Sequence, residues 1–135
     1  MPHHAARSAA AYGTYLVVLG FGISFAPHKM REIFNKILVS GKLPPAGEGE
    51  QSLWIRAFGI VSAYVGLYYL QAARYNLRPM FELTAVGRTL ILPAMHVALY
   101  MTGQVPLAWL EAAISSDFLT ACHMIWALRQ DHLLK

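Results

Sequence analysis

The sequence predicts an all-α integral membrane protein, in which four spanning helices form one bundle with a short interfacial amphipathic helix between spans one and two. Hydrophobic residues make up 56% of its 135 residues and charged residues only 13%, against about 45–50% and about 25% in soluble domains. The mean hydropathy is +0.41. Apolar runs of about 20 residues, the length that crosses a bilayer, recur along the chain. We therefore treat residues 1–135 as a single four-span membrane domain.

The basic charge of the chain indicates contact with lipid headgroups. The net charge is +4 and the isoelectric point is near 9.4. Lys and Arg residues are scattered between apolar runs and are not gathered on one face, as a nucleic-acid site would require. The lipid bilayer, including its anionic headgroups, is the expected partner, and nucleic acid is not.

The first two predicted elements are a span and a surface helix. Residues 9–26 form an apolar run, bounded by Arg7 and by Pro27. In residues 29–39 the apolar side chains recur at helical spacing and the charged ones fall mostly between them, which is typical of a short amphipathic helix. It is too short to span, so it either lies flat in the headgroup region or folds over the end of the bundle.

Three further spans follow, over residues 53–73, 82–103 and 107–128. Four spans put both termini on the same side of the membrane. Lys and Arg residues divide equally between the two sides, so the positive-inside rule does not choose an orientation. The turn between spans two and three carries Arg74 and Arg78, and a short Arg-bearing turn resists translocation. We therefore expect the termini on the cytoplasmic side.

Small residues and one proline predict how the spans meet. Small residues four positions apart, such as Gly59 and Ala63, let helix backbones approach closely. Pro93 removes one backbone hydrogen bond from the third span, which predicts a kink and a free carbonyl at Thr89.

Ionisable side chains inside the spans are the candidate functional residues, since charges at this depth are costly. Their depths, estimated from the helical rise of 1.5 Å per residue, fall into two layers. The shallow layer contains Arg56, His96 and Glu111, and the layer nearer the termini contains Arg88, Asp117 and His123. We expect the side chains of Arg56 and Glu111 to lie on facing helices within reach of each other or of His96. We expect an inward-facing Asp117 to have Arg88 as its nearest cation.

Asp117 and Glu111 are candidate catalytic acids, while Arg56, Arg88, His96 and His123 are candidate binding residues. For each of these residues a structural ion pair or hydrogen bond is the alternative. The two histidines differ by about 15 Å in estimated depth, so they cannot share one metal ion or haem. No zinc-type spacing, phosphate loop or nucleophile elbow is present, and the sequence predicts neither a metal nor another cofactor.

Two family resemblances rest on quoted segments. RAFGIVSAYVGLYYLQAAR, VGRTLILP and a last span with an acid resemble the small four-helix DoxX-like membrane proteins. The residues that carry this resemblance are Arg56, Gly59, Gly66, Gly87, Arg88 and Asp117. The segment from SGK at Ser40 through RAFGI at Arg56, together with His96, is similar to the small four-helix scaffold protein of ergosterol biosynthesis, although no acid follows His96 closely. The first resemblance implies a compact membrane bundle, and the second implies a non-enzymatic organiser of lipid enzymes.

Three functions remain open from the sequence. The first is an accessory or scaffold protein whose ion pairs serve folding and contact with a membrane-protein partner. The second is a membrane-embedded enzyme of isomerase or cyclase type, in which Asp117 or Glu111 protonates an apolar lipid or isoprenoid. The third is a small transporter or proton relay along Glu111, Asp117 and His123, whose six-residue spacing does not form one helical stripe.

Overall fold

The computed structural model describes residues 4–45, 47 and 49–133, and this part of the chain is helical with no strand. The elements in order are α1 (His4–Phe25), α2 (Pro27–Ile37), α3 (Glu50–Arg74), α4 (Arg78–Val86), a π-helical segment (Gly87–Ile91), α5 (Leu92–Met101) and α6 (Leu107–Leu133). The predicted all-α class is confirmed.

Among the described residues, three helices are long and apolar enough to cross a membrane. They are His4–Phe25, Ser52–Arg74 and Arg78–Met101, the last of which joins α4, the π-helical segment and α5. The helix α6 occupies the predicted fourth position and has 27 residues, but it does not belong to this apolar set. It carries Glu111, Asp117 and His123, which lower its hydropathy. Three of the four predicted spans are thus helices long and apolar enough to cross a membrane, which indicates a membrane location.

The helices α1 and α3 pack antiparallel through glycine. A Cβ atom on Gly66 would lie 2.6 Å from the carbonyl oxygen of Gly13, and one on Gly59 would lie 2.7 Å from that of Gly20. Neither backbone oxygen has room to move, so any side chain here would push the helices apart. The predicted small-residue contact at Gly59 and Ala63 is confirmed, because Gly20 packs against both.

The core is concentrated at the end of the bundle that holds the chain termini. Phe81 of α4 and Met124 of α6 are its largest fully buried side chains. The rest of this cluster comes from α1, α3, α4 and α6, namely Ala5, Ala9, Tyr12, Tyr69, Ala72, Ala85 and Ala127. At the same end, the Asp131 carboxylate accepts the backbone N–H groups of His4 and Ala5 at 2.8 and 2.9 Å. This carboxylate caps the start of α1 and joins it to the end of α6.

The amphipathic helix predicted at residues 29–39 is confirmed as α2 and begins two residues earlier. Pro27 is at the start of α2 and has no N–H group that would need a partner there. The chain after α2 folds back along it, because the Asn35 side chain accepts from the Leu43 N–H at 2.7 Å and Arg31 Nε donates to the Leu43 carbonyl at 2.9 Å. Ile33 and Ile37 remain exposed.

The helix predicted as the third span contains an irregular turn just before Pro93. There the chain is π-helical, and the Leu92 N–H bonds to the carbonyl of Gly87, five residues back. A proline ring crowds the carbonyl four residues before it, which here belongs to Thr89. The widened turn lies directly before Pro93, where a kink is predicted, and it carries Arg88.

Candidate functional site

A buried polar cluster joins α1, the π-helical segment and α6. Arg88 is only 3% exposed, and its Nε lies 3.7 Å from Asp117 Oδ1. Its Nη2 donates to the Asp117 backbone carbonyl at 3.3 Å. The Tyr12 hydroxyl donates to Asp117 Oδ1 at 3.1 Å. The predicted pairing of Asp117 with Arg88 is confirmed.

The charge of Arg88 is stabilised by an aromatic contact as well as by the ionic contact. Its guanidinium carbon lies 3.5 Å from the centroid of the Tyr12 ring, a distance typical of a cation–π contact. Among the described residues, Arg88 Nε and Nη1 have no hydrogen-bond partner. A buried guanidinium with unfilled donors depends strongly on the nearby carboxylate, so removal of Asp117 would leave a charge without compensation.

His123 belongs to a separate polar contact. Its Nδ1 lies 2.8 Å from Ser8 Oγ on α1, and its ring stacks on Trp126 with centroids 5.6 Å apart. The terminal layer of predicted site residues therefore divides into two groups. Arg88 and Asp117 form one, while His123 is bound to Ser8 in the other.

Glu111 and Arg56 do not pair, and the prediction that they would is wrong. The Glu111 carboxylate accepts the N–H groups of Val39 at 2.9 Å and Ser40 at 2.7 Å, together with the Ser40 hydroxyl. Arg56 Nη1 donates at 2.6 Å to the carbonyl of Ser24. Arg56 binds a last-turn carbonyl at the C-terminal end of α1, where a cation is favoured. Glu111 binds N–H groups of the segment that follows α2.

His96 is the third member of the predicted shallow layer, and it bonds within its own helix. Its Nδ1 lies 2.7 Å from the Leu92 carbonyl. The shallow layer is therefore not brought together, because α3 packs mainly on α1, whereas α6 packs on α1, α4 and α5.

Two grooves flank α6. The first, of about 340 Å³, lies between α1 and α6 and is lined by Ser8, Ala11, Tyr12, Tyr15, Leu119, Thr120 and His123. The second, of about 570 Å³, is open and lies between α4 and α6, lined by Arg78, Glu82, Ala85, Val86, Ile125, Leu128, Arg129 and His132. Neither candidate acid lines either groove. Within residues 4–45, 47 and 49–133, no three His, Cys, Asp or Glu side chains gather as a metal site.

Sequence reasoning missed the contribution of α1. Ser8, Tyr12 and Tyr15 are spaced i, i+4 and i+7, so they form one stripe on the helix, and this stripe meets the polar residues of α6. The spacing is visible in the sequence. It would have identified a polar face on α1 that includes Tyr12.

Comparison of the chain with protein-family models, with curated proteins and with solved structures finds no match. The resemblances to the DoxX-like proteins and to the ergosterol scaffold protein therefore stay predictions.

Proposed function

We propose that this chain is a small integral membrane accessory or scaffold protein, a four-span bundle whose intramembrane charges hold the helices together. The observation that carries this proposal is the position of the two acids of α6. Asp117 contacts Tyr12 and Arg88, and Glu111 contacts the segment after α2. Both carboxylates thus connect elements that are distant in sequence.

The helix α6 is proposed as the fourth span. Its 27 residues extend about 40 Å, longer than the ~30 Å hydrocarbon layer. Its ionised groups cost less in a bilayer than its hydropathy suggests, because Asp117 is paired with a cation inside the bundle. Met124 and Ala127 are fully buried, which is consistent with a helix held among the three apolar spans.

With four antiparallel spans, both termini lie on one side of the membrane. The contact of Asp131 with the start of α1 supports this arrangement. The Arg-bearing turn at Arg74 and Arg78 lies at the same end, since Phe81 and Met124 share one core. We propose that this end is cytoplasmic.

The enzyme alternative requires an acid that meets a lipid substrate. Asp117 lines neither groove, and its carboxylate accepts from Tyr12 and lies near the Arg88 guanidinium. These contacts place it between helices, where it has no access to a lipid substrate from either groove. The relay alternative has no supporting contact among the described residues, since the three side chains bond to other residues and not to one another: Glu111 to Val39 and Ser40, Asp117 to Tyr12, and His123 to Ser8. The accessory role is therefore the one that the geometry supports best.

The test of this proposal is the size of the assembly in the native membrane. The tagged chain, expressed at its natural level and extracted in mild detergent, should migrate on native gels as a discrete species larger than the purified chain in the same detergent. Quantitative mass spectrometry should find one membrane protein at a fixed ratio to it. The purified chain is the control for the detergent micelle.

Two results would contradict the accessory role. One is a native species identical in size to the purified chain. The other is turnover of a membrane lipid extract by proteoliposomes of the pure protein that Asp117→Asn abolishes while the helical circular dichroism spectrum is retained. That second outcome would establish the enzyme alternative.

A further inference from the structure

The groove between α1 and α6 has an unusual concentration of hydrogen-bonding side chains. Five of the residues that line it carry a hydroxyl or an imidazole, namely Ser8, Tyr12, Tyr15, Thr120 and His123. The groove faces outward between two helices, one of them an apolar span. In a bilayer such groups need partners, because an unsatisfied polar group in an apolar medium is costly.

Some of these groups are committed to the protein. The Tyr12 hydroxyl donates to Asp117 at 3.1 Å, and the Thr120 hydroxyl donates to the Ser116 carbonyl of its own helix at 2.6 Å. The Tyr15 and Ser116 hydroxyls lie 3.3 Å apart, which is long for a hydrogen bond between two hydroxyls. Tyr15 is therefore free to exchange this contact for a better one.

His123 offers the best anchor for a ligand. Its Nδ1 is occupied by Ser8 at 2.8 Å, and within the described part of the chain its Nε2 has no hydrogen-bond partner. Either tautomer leaves Nε2 with one bond to make, as a donor when Ser8 donates to Nδ1 and as an acceptor when Ser8 accepts. The stack on Trp126 fixes the plane of the ring. A ligand hydroxyl can bond to Nε2 in both tautomers, because it can donate or accept. A ligand carbonyl can only accept, so it bonds to the tautomer in which Nε2 carries the proton.

The lining of the groove favours an uncharged ligand. It contains no Lys, Arg, Asp or Glu. The nearest charges, Arg88 and Asp117, are paired with each other and contact Tyr12. A charged head in this groove would have no counter-charge, whereas a neutral hydroxyl or carbonyl would lose less on leaving water.

We propose that the α1/α6 groove binds a membrane-soluble amphiphile with an uncharged hydroxyl or carbonyl head, which bonds to His123 Nε2 and Tyr15. The volume of about 340 Å³ is at the small end of ligand sites. It accommodates the head and the first part of the apolar body, and the remainder lies beside Leu119 in the lipid. This site is independent of the accessory role, because neither requires the other.

The test uses Trp126 as a reporter beside His123. The full chain with Trp54→Phe and Trp109→Phe is placed in phosphatidylcholine nanodiscs and titrated with brominated octadecanol, whose bromine atoms quench tryptophan on contact. Brominated octadecane and brominated octadecyl sulfate are the matched probes without a head and with an anionic head. Octadecanol should quench saturably and be displaced by unlabelled octadecanol, whereas octadecane should quench only in proportion to its concentration.

The deciding variant is His123→Phe, which keeps a ring against Trp126 and removes both nitrogens. It should weaken octadecanol binding about fivefold, the effect of one lost hydrogen bond. His96→Phe is the matched control, since His96 is bonded within its own helix outside the groove, and it should leave binding unchanged.

Equal quenching by octadecanol and octadecane would overturn the proposal, as would tighter binding of the sulfate. Wild-type affinity in a folded His123→Phe would overturn the role of the imidazole. If His123→Phe does not fold, the comparison of the three probes on the wild-type groove still decides whether an uncharged polar head is recognised.

Discussion

Replacement of Asp117 by Asn should destabilise the bundle by about 3 kcal/mol. Loss of one member of a buried ion pair costs about 3–5 kcal/mol, because the other charge stays buried. The lower end applies here, since Asp117 keeps 17% exposure and the closest ionic distance is 3.7 Å. Asn can still accept from Tyr12, so the expected loss comes from the charge of Arg88 alone.

A double variant separates the interaction energy of the pair from the contributions of the individual side chains. Arg88→Met removes the buried charge and keeps much of the side-chain volume, so Asp117→Asn with Arg88→Met should recover about 2 kcal/mol relative to the sum of the single changes. The melting temperature of Asp117→Asn alone should fall by about 10 °C, on the scaling of soluble domains.

Thermal unfolding in detergent, followed by circular dichroism, measures this cycle. Glu82→Gln is the matched control, because the Arg78–Glu82 pair is exposed and its loss should cost less than about 1 kcal/mol. An unchanged melting temperature in Asp117→Asn would refute the structural role of the pair. Strict additivity of the two single changes would refute their coupling.

Three further outcomes follow from other contacts. Gly66→Ala should lower the melting temperature by an amount equivalent to about 1–3 kcal/mol, because its Cβ would lie 2.6 Å from a backbone oxygen of α1. In the control Gly87→Ala, the new Cβ meets nothing within 4 Å, so this change should be tolerated. Equal effects of the two changes would contradict close α1–α3 packing. Glu111→Gln should speed deuterium exchange about tenfold at the Val39 and Ser40 amides, which this carboxylate binds. Glu32→Gln, at an exposed position of α2, should leave the exchange of these amides unchanged. The same exchange rate in both variants would contradict the contact. Asp131→Ala should cost about 1 kcal/mol in the same unfolding assay, since it caps the start of α1, and full stability would show that the cap contributes nothing.

The depth of each ionisable residue along its helix was the most informative quantity that the sequence provides. The helical rise fixes how far each residue lies from the end of its span, so the approach of Arg88 to Asp117 could be predicted without knowledge of the helix order. The amphipathic helix α2 was predictable for a similar reason, since apolar spacing along the chain is a local property. The polar stripe of α1 could have been predicted from spacing alone.

The sequence by itself determined the helical class, the three helices apolar enough to cross a membrane, the amphipathic helix and the Arg88–Asp117 pair. Only the tertiary structure decided which helices are neighbours. The glycine contacts between α1 and α3 place Arg56 beside the end of α1, away from Glu111, and the fold-back of the chain after α2 supplies Glu111 with N–H groups. Depth is set by covalent geometry, whereas the rotation and order of the helices are set by side-chain packing between distant segments, which spacing within one helix does not encode.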